Sequence, residues 1–83
     1  MGTNYRFPSM KAIKLLSILK SLGYRSVAKS GPGSHTWLEA EGRPRIRWAF
    51  HNKVSLAPGL VRSVLMKEAG LTFDEAREAV ENG

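Results

Sequence analysis

A chain of 83 residues has room for one hydrophobic core and hides only about three fifths of its unfolded surface, which excludes a large multi-domain enzyme. Cysteine is absent, so disulfide frameworks, Cys-ligated zinc and thiol catalysis are excluded as well. Thirteen Lys and Arg against seven Asp and Glu give a formal charge of +6. The excess is uneven: residues 1–70 carry twelve basic and three acidic side chains, net +9, and residues 71–83 carry one and four, net −3. A field of that sign favours RNA, DNA or acidic protein surfaces.

Residues 1–9 have no periodicity and read as an N-terminal extension or cloning remnant ahead of a single domain over 10–83. Apolar side chains then recur at three and four through Ala12, Leu15, Leu16, Leu19 and Leu22, which predicts a helix. Ser9 after Pro8 is its expected N-cap, and Gly23 can take the left-handed conformation that closes the last turn. The apolar run over 13–22 is broken by Lys14, Ser17, Lys20 and Ser21, so it is neither a membrane span nor a signal-peptide core, and a cytoplasmic protein is expected.

After Gly23 the period becomes two. Tyr24, Ser26 and Ala28 alternate with Arg25, Val27 and Lys29, a short polar strand, and Ser30-Gly31-Pro32-Gly33-Ser34 makes a loop. Over 35–41, Thr36, Leu38 and Ala40 form an inner set against His35, Trp37, Glu39 and Glu41. Over 45–51, Ile46, Trp48 and Phe50 face away from Arg45, Arg47, Ala49 and His51. Leu60, Val61, Val64, Leu65 and Ala69 mark a second helix from Pro58 to Gly70, and Thr72 with Glu75 forms a capping box for a short acidic third helix. The order is α-β-β-β-α plus a C-terminal helix: an α+β domain whose three-stranded antiparallel sheet carries helices on one face and leaves the other open.

Matching the two inner sets requires paired residue numbers of even sum. Pro44 is a poor left-handed loop residue, so the expected first pair is Ala40 with Ile46. Leu38 then faces Trp48 and Thr36 faces Phe50 inside. Outside, Glu39 faces Arg47, Trp37 faces Ala49 and His35 faces His51, and a shift by one pair is the alternative. The open face so built holds His35, His51, Trp37, Arg45 and Arg47, with Lys29 and Lys53 near its ends, and suits nucleic acid.

Three blocks carry a further likeness. They are I-K-L-L-x-x-L-K-x-x-G-Y over 13–24, K-S-G-P-G-S-H-T-W over 29–37, and F-H-N-K-V-S-L-A-P-G-L-V-R-S-V-L-M-K-E-A-G-L-T over 50–72. In this order and spacing the chain resembles the HicA family of small toxins. The resemblance implies a fold like the double-stranded-RNA-binding domain, cleavage of mRNA, and a cognate HicB antitoxin. The family's catalytic histidine maps onto His35 through Gly33-Ser34-His35. The match departs at Thr36, where many members have a second histidine, and at Pro32, where many have a basic or polar residue.

Metal-free RNA cleavage needs a base for the 2′-hydroxyl, an acid for the departing 5′-oxygen and positive charge around phosphorus. Histidine, with a pKa of about 6.5, serves either proton role near neutral pH. His35 is therefore the expected general acid or base, and His51 the candidate complement. Lys29, Ser34, Trp37, Arg45, Arg47 and Lys53 are the expected RNA contacts, with no metal and no cofactor. The alternative is a noncatalytic RNA-binding or partner-binding module of the same fold.

Overall fold

The computed structural model describes residues 5–28 and 36–83. Its elements are β1 (Met10–Lys11), α1 (Ala12–Ser21), β2 (Arg25–Ala28), β3 (Thr36–Glu39), β4 (Ile46–Trp48), β5 (Ser55–Leu56), α2 (Pro58–Ser63) continued by a π-helical turn (Val64–Glu68), and α3 (Phe73–Asn82). Strands β2, β3 and β4 form the expected antiparallel three-stranded sheet in that order. Leu38, Ile46 and Trp48 from this sheet share one core with Leu15, Ile18 and Leu19 of α1, Val61 of α2, and Val64 and Leu65 of the π turn. The architecture is α+β and consistent with a double-stranded-RNA-binding-domain-like fold.

The start of α1 departs from expectation. Lys11, not Ser9, is the N-cap, and it offers no side-chain acceptor. Met10 and Lys11 instead pair with Leu56 and Ser55 in a second, two-stranded ladder, which holds the chain extended until Ala12. The first helical N–H groups are satisfied by backbone: Ala12 donates to the Val54 carbonyl at 2.8 Å and Ile13 to the Asn52 carbonyl at 3.1 Å. Donors that no cap residue reaches must find another acceptor, and the turn before β5 supplies it. Ile18 is fully buried while Leu16 and Leu22 are half-buried, so the apolar stripe is rotated from the one expected. Gly23, at φ 105°, closes the helix as predicted.

Beyond Ser63 the second helix widens. The Ala69 N–H reaches back five residues to the Val64 carbonyl at 2.9 Å, and the π turn thereby places Ala69 in the core while Glu68 stays outside. Leu60, expected in the core stripe, is exposed. In α3 the capping box forms in both directions: the Glu75 N–H donates to Thr72 Oγ1 at 3.1 Å, and the Thr72 N–H donates to Glu75 Oε1 at 2.9 Å.

The segment before β1 takes part in the packing. Phe7 is buried, and its ring meets Tyr5 and Phe73 edge-on at centroid distances of 5.1 and 5.6 Å. Such contacts add to the apolar area that an aromatic ring buries. Phe7→Ala is expected to destabilise the fold by about 3 kcal/mol, read as a lower urea midpoint with an unchanged slope; an unaltered midpoint would show the triad to be dispensable.

Tyr24 ties the strand after α1 to the hairpin, its hydroxyl donating to the Pro44 carbonyl at 2.8 Å. Burial pushes its phenol above the ordinary value of 10.0, partly opposed by the charge of Arg43. A folded pKa above the unfolded one means that this contribution is complete below about pH 10 and is lost as pH rises through the folded value. Tyr24→Phe is expected to cost about 1 kcal/mol at neutral pH and to flatten the alkaline loss of stability, measured by denaturant titration from pH 8 to 12.

Candidate nucleic-acid interface

The orientation of the open face follows from the register. Leu38 pairs with Ile46, Trp37 with Arg47 and Thr36 with Trp48. The parity is as expected, but the pairing is displaced by one pair from Ala40–Ile46. The hairpin explains the displacement. Its turn is closed by the Arg43 N–H donating to the Ala40 carbonyl at 3.1 Å, with Gly42 at φ 76° supplying the left-handed residue. Pro44 has no N–H to give the ladder, and its carbonyl is taken by Tyr24. Pairing therefore begins only at Ile46.

Three expected outer contacts change as a result. Trp37 lies opposite Arg47, not Ala49, and Glu39 no longer faces Arg47, while its carboxylate bridges to Arg45 at 3.5 Å between Arg45 Nη1 and Glu39 Oε2. Strand β4 ends at Trp48, with Phe50 packed edge-on against the Trp48 ring at 5.1 Å and His51 exposed beyond. The pairing that was to set His51 opposite His35 is thus not the register of this sheet. His35, Ser34 and Lys29 lie outside the described residues.

On the other side of β3, Arg25 pairs with Glu39 and Val27 with Trp37. Because side chains alternate along a strand, Arg25, Val27, Trp37, Glu39 and Arg47 share the face opposite Leu38 and Ile46. Arg45 reaches the same face: its guanidinium carbon stands 4.9 Å above the centroid of the Trp37 ring. The result is an indole with Val27 on one side and Arg47 on the other, covered by Arg45, in a face that holds, among the described residues, three arginines and one glutamate. Arg25 was not among the sequence candidates; the signal was its shared parity with Val27 and Lys29. An open depression at this edge is lined by Arg25, Glu39, Ala40 and Glu41.

Lys53 sits apart from this arrangement, in the turn that receives the first N–H groups of α1, where its carbonyl accepts from Lys11 Nζ at 3.4 Å. Among the described residues, no group of three His, Cys, Asp or Glu is placed to hold a metal ion, and no helix is long and apolar enough to cross a membrane. Arginine forks suit phosphate oxygens, and an indole suits the face of a base.

A family model described as the HicA toxin of bacterial toxin-antitoxin matches residues 13–71, more than half of the chain. The chain belongs to the HicA toxin family. The match runs from α1 through the sheet and α2 to Leu71 and encloses the whole open face. Membership assigns the chain the toxin's role in a toxin–antitoxin pair and gives it an antitoxin as partner. No curated protein and no solved structure matches it.

If the arginines of this HicA chain each hold a phosphate, Arg25→Ala, Arg45→Ala and Arg47→Ala should each reduce the slope of log K against log salt for single-stranded RNA by about 0.7. The change should be similar across RNA sequences. Slopes equal to that of the parent, measured by fluorescence anisotropy, would place the phosphates elsewhere.

Proposed function

We propose that this HicA toxin is a metal-independent ribonuclease that cleaves mRNA in the cytoplasm, with His35 as general acid or base. The observation that carries the reading is the match of the family over the segment that contains Gly33-Ser34-His35. The arginine-rich face around Trp37 supports it by offering phosphate and base contacts on the sheet that this segment enters.

In the proposed reaction the ribose 2′-oxygen attacks phosphorus as its proton passes to a base, and the P–O5′ bond breaks as the leaving oxygen gains a proton. A 2′,3′-cyclic phosphate and a 5′-hydroxyl result. Arginine charge offsets the negative charge that gathers on the phosphorane oxygens, and the proton transfers are typically worth about 10² to 10⁴ in rate. Since the register removes the geometric reason for pairing His51 with His35, the proposal rests the essential transfer on His35. Ser34, Lys29 and Lys53 are proposed as flanking RNA contacts. The antitoxin is proposed to be HicB-like and acidic, and to cover the open face, since that is where the toxin's cationic charge and RNA contacts coincide.

His35→Ala should lower cleavage of a defined single-stranded RNA by at least about 10², while excess chelator leaves the parent's rate unchanged. His51→Ala should retain most of the activity. Equal cleavage by parent and His35→Ala, or loss of activity on chelation, would contradict the proposal, and absence of cleavage by the parent would favour a noncatalytic binding module.

A further inference from the structure

We infer that Arg45 is a displaceable cover on a base-stacking subsite at Trp37, held in place by Glu39, so that the open face selects single-stranded RNA. The inference rests on the proposed RNA-directed function and adds to it a subsite, a ligand class and a residue that opposes binding.

The geometry is specific about what must move. Arg45 has two anchors on this face, the Glu39 carboxylate at 3.5 Å and the Trp37 ring at 4.9 Å from guanidinium carbon to centroid. A nucleobase inserted between guanidinium and indole would need about 7 Å, twice the ~3.5 Å contact of stacked carbon atoms. The cover is therefore closed to a base as it stands, and a base that stacks on this side of Trp37 must first displace the guanidinium.

The balance of interactions allows the exchange. An exposed ion pair contributes little, and Arg45 and Glu39 are 53% and 34% exposed. An exposed cation–π contact is of similar weight, whereas a base stacked on an aromatic ring contributes more than either. A displaced Arg45 also gains a better acceptor, because phosphate takes a guanidinium through two parallel hydrogen bonds. Glu39 thus acts as an internal competitor for phosphate: its carboxylate occupies the arginine that the incoming strand would use. Arg25, opposite Glu39 on β2, keeps positive charge beside that carboxylate after Arg45 leaves.

The subsite also explains a preference. Bases in a duplex are stacked on their neighbours and cannot offer a face to Trp37, whereas an unpaired base can. Although the fold is like that of a duplex-binding domain, the indole on its open sheet face suits an unpaired strand.

The test measures RNA affinity by fluorescence anisotropy in the full chain carrying His35→Ala, so that no substrate is consumed. A labelled single-stranded RNA of about twelve nucleotides is compared with its duplex. Glu39→Gln should tighten single-strand binding by about three- to fivefold, the measure of an exposed ion pair. Glu41→Gln, which removes the same charge from the adjacent turn, should tighten it by less. Trp37→Leu should weaken single-strand binding by about 5- to 100-fold and leave the duplex unaffected, while Trp37→Phe retains most of the affinity. Circular dichroism verifies that each variant is folded.

Equal gains from Glu39→Gln and Glu41→Gln would overturn the latch, since bulk charge alone would then account for both. Equal loss on single strand and duplex from Trp37→Leu would overturn the stacking subsite. If the His35→Ala chain binds RNA in a salt-dependent way and none of these variants alters it, the inference fails while the proposed function stands. If that chain binds no RNA at all, the proposed function falls and takes the inference with it.

Discussion

Leu38 packed opposite Ile46, both under the helices, is the contact on which the rest of the molecule depends. Strand side chains alternate, so committing these two residues to the core turns Trp37 and Arg47 to the other side. A slip of one residue would set Leu38 on the same face as Arg47, so that either Arg47 enters the apolar layer or Leu38 meets solvent. Burial of a leucine is worth about 1.5–3 kcal/mol, whereas an exposed ion pair such as Arg45–Glu39 contributes about 0–1 kcal/mol. The core decides the register, and the charged face follows from it.

The alternation itself was legible because one face of the sheet is wet and the other dry; a run such as Ile46-Arg47-Trp48 can satisfy both in one way only. The capping box at Thr72 and the left-handed Gly23 were legible for a similar reason, since each rests on interactions among near neighbours in the chain. Which even sum the hairpin adopts depends on tertiary chemistry. Tyr24, 20 residues before Pro44 in the sequence, takes the proline carbonyl and delays the first pair. Nothing within the 39–46 segment announces that bond.

The ladder between β1 and β5 was hidden for another reason: two-residue strands have no period to detect, and their partners lie 44 and 46 residues apart. Yet this ladder brings the turn before β5 to the unsatisfied N–H groups of α1, a task a capping side chain was expected to perform. The π turn after Ser63 is equally silent, because an apolar pattern of 61, 64, 65 and 69 fits a regular helix as well as a widened one. At the candidate site, Trp37, Arg45 and Arg47 were visible from parity; Arg25 carried the same signal through Val27 and Lys29, but its place beside Glu39 is fixed only by the pairing of β2 with β3. His51 was placed by a register that the hairpin does not adopt.

The fold and the family together divide the labour of this toxin in a simple way. The helices and the inner sheet face provide stability, and the outer face, relieved of that duty, concentrates arginine around one indole. The claim that RNA occupies this face is tested most directly by amide chemical-shift mapping of the ¹⁵N-labelled His35→Ala protein with a short single-stranded RNA. Perturbations centred on Arg25, Val27, Arg47 and the Trp37 indole N–H are predicted, with the exposed sides of α1 and α3 unchanged. Perturbations confined to α1 or α3, with the Trp37 indole unmoved, would contradict it.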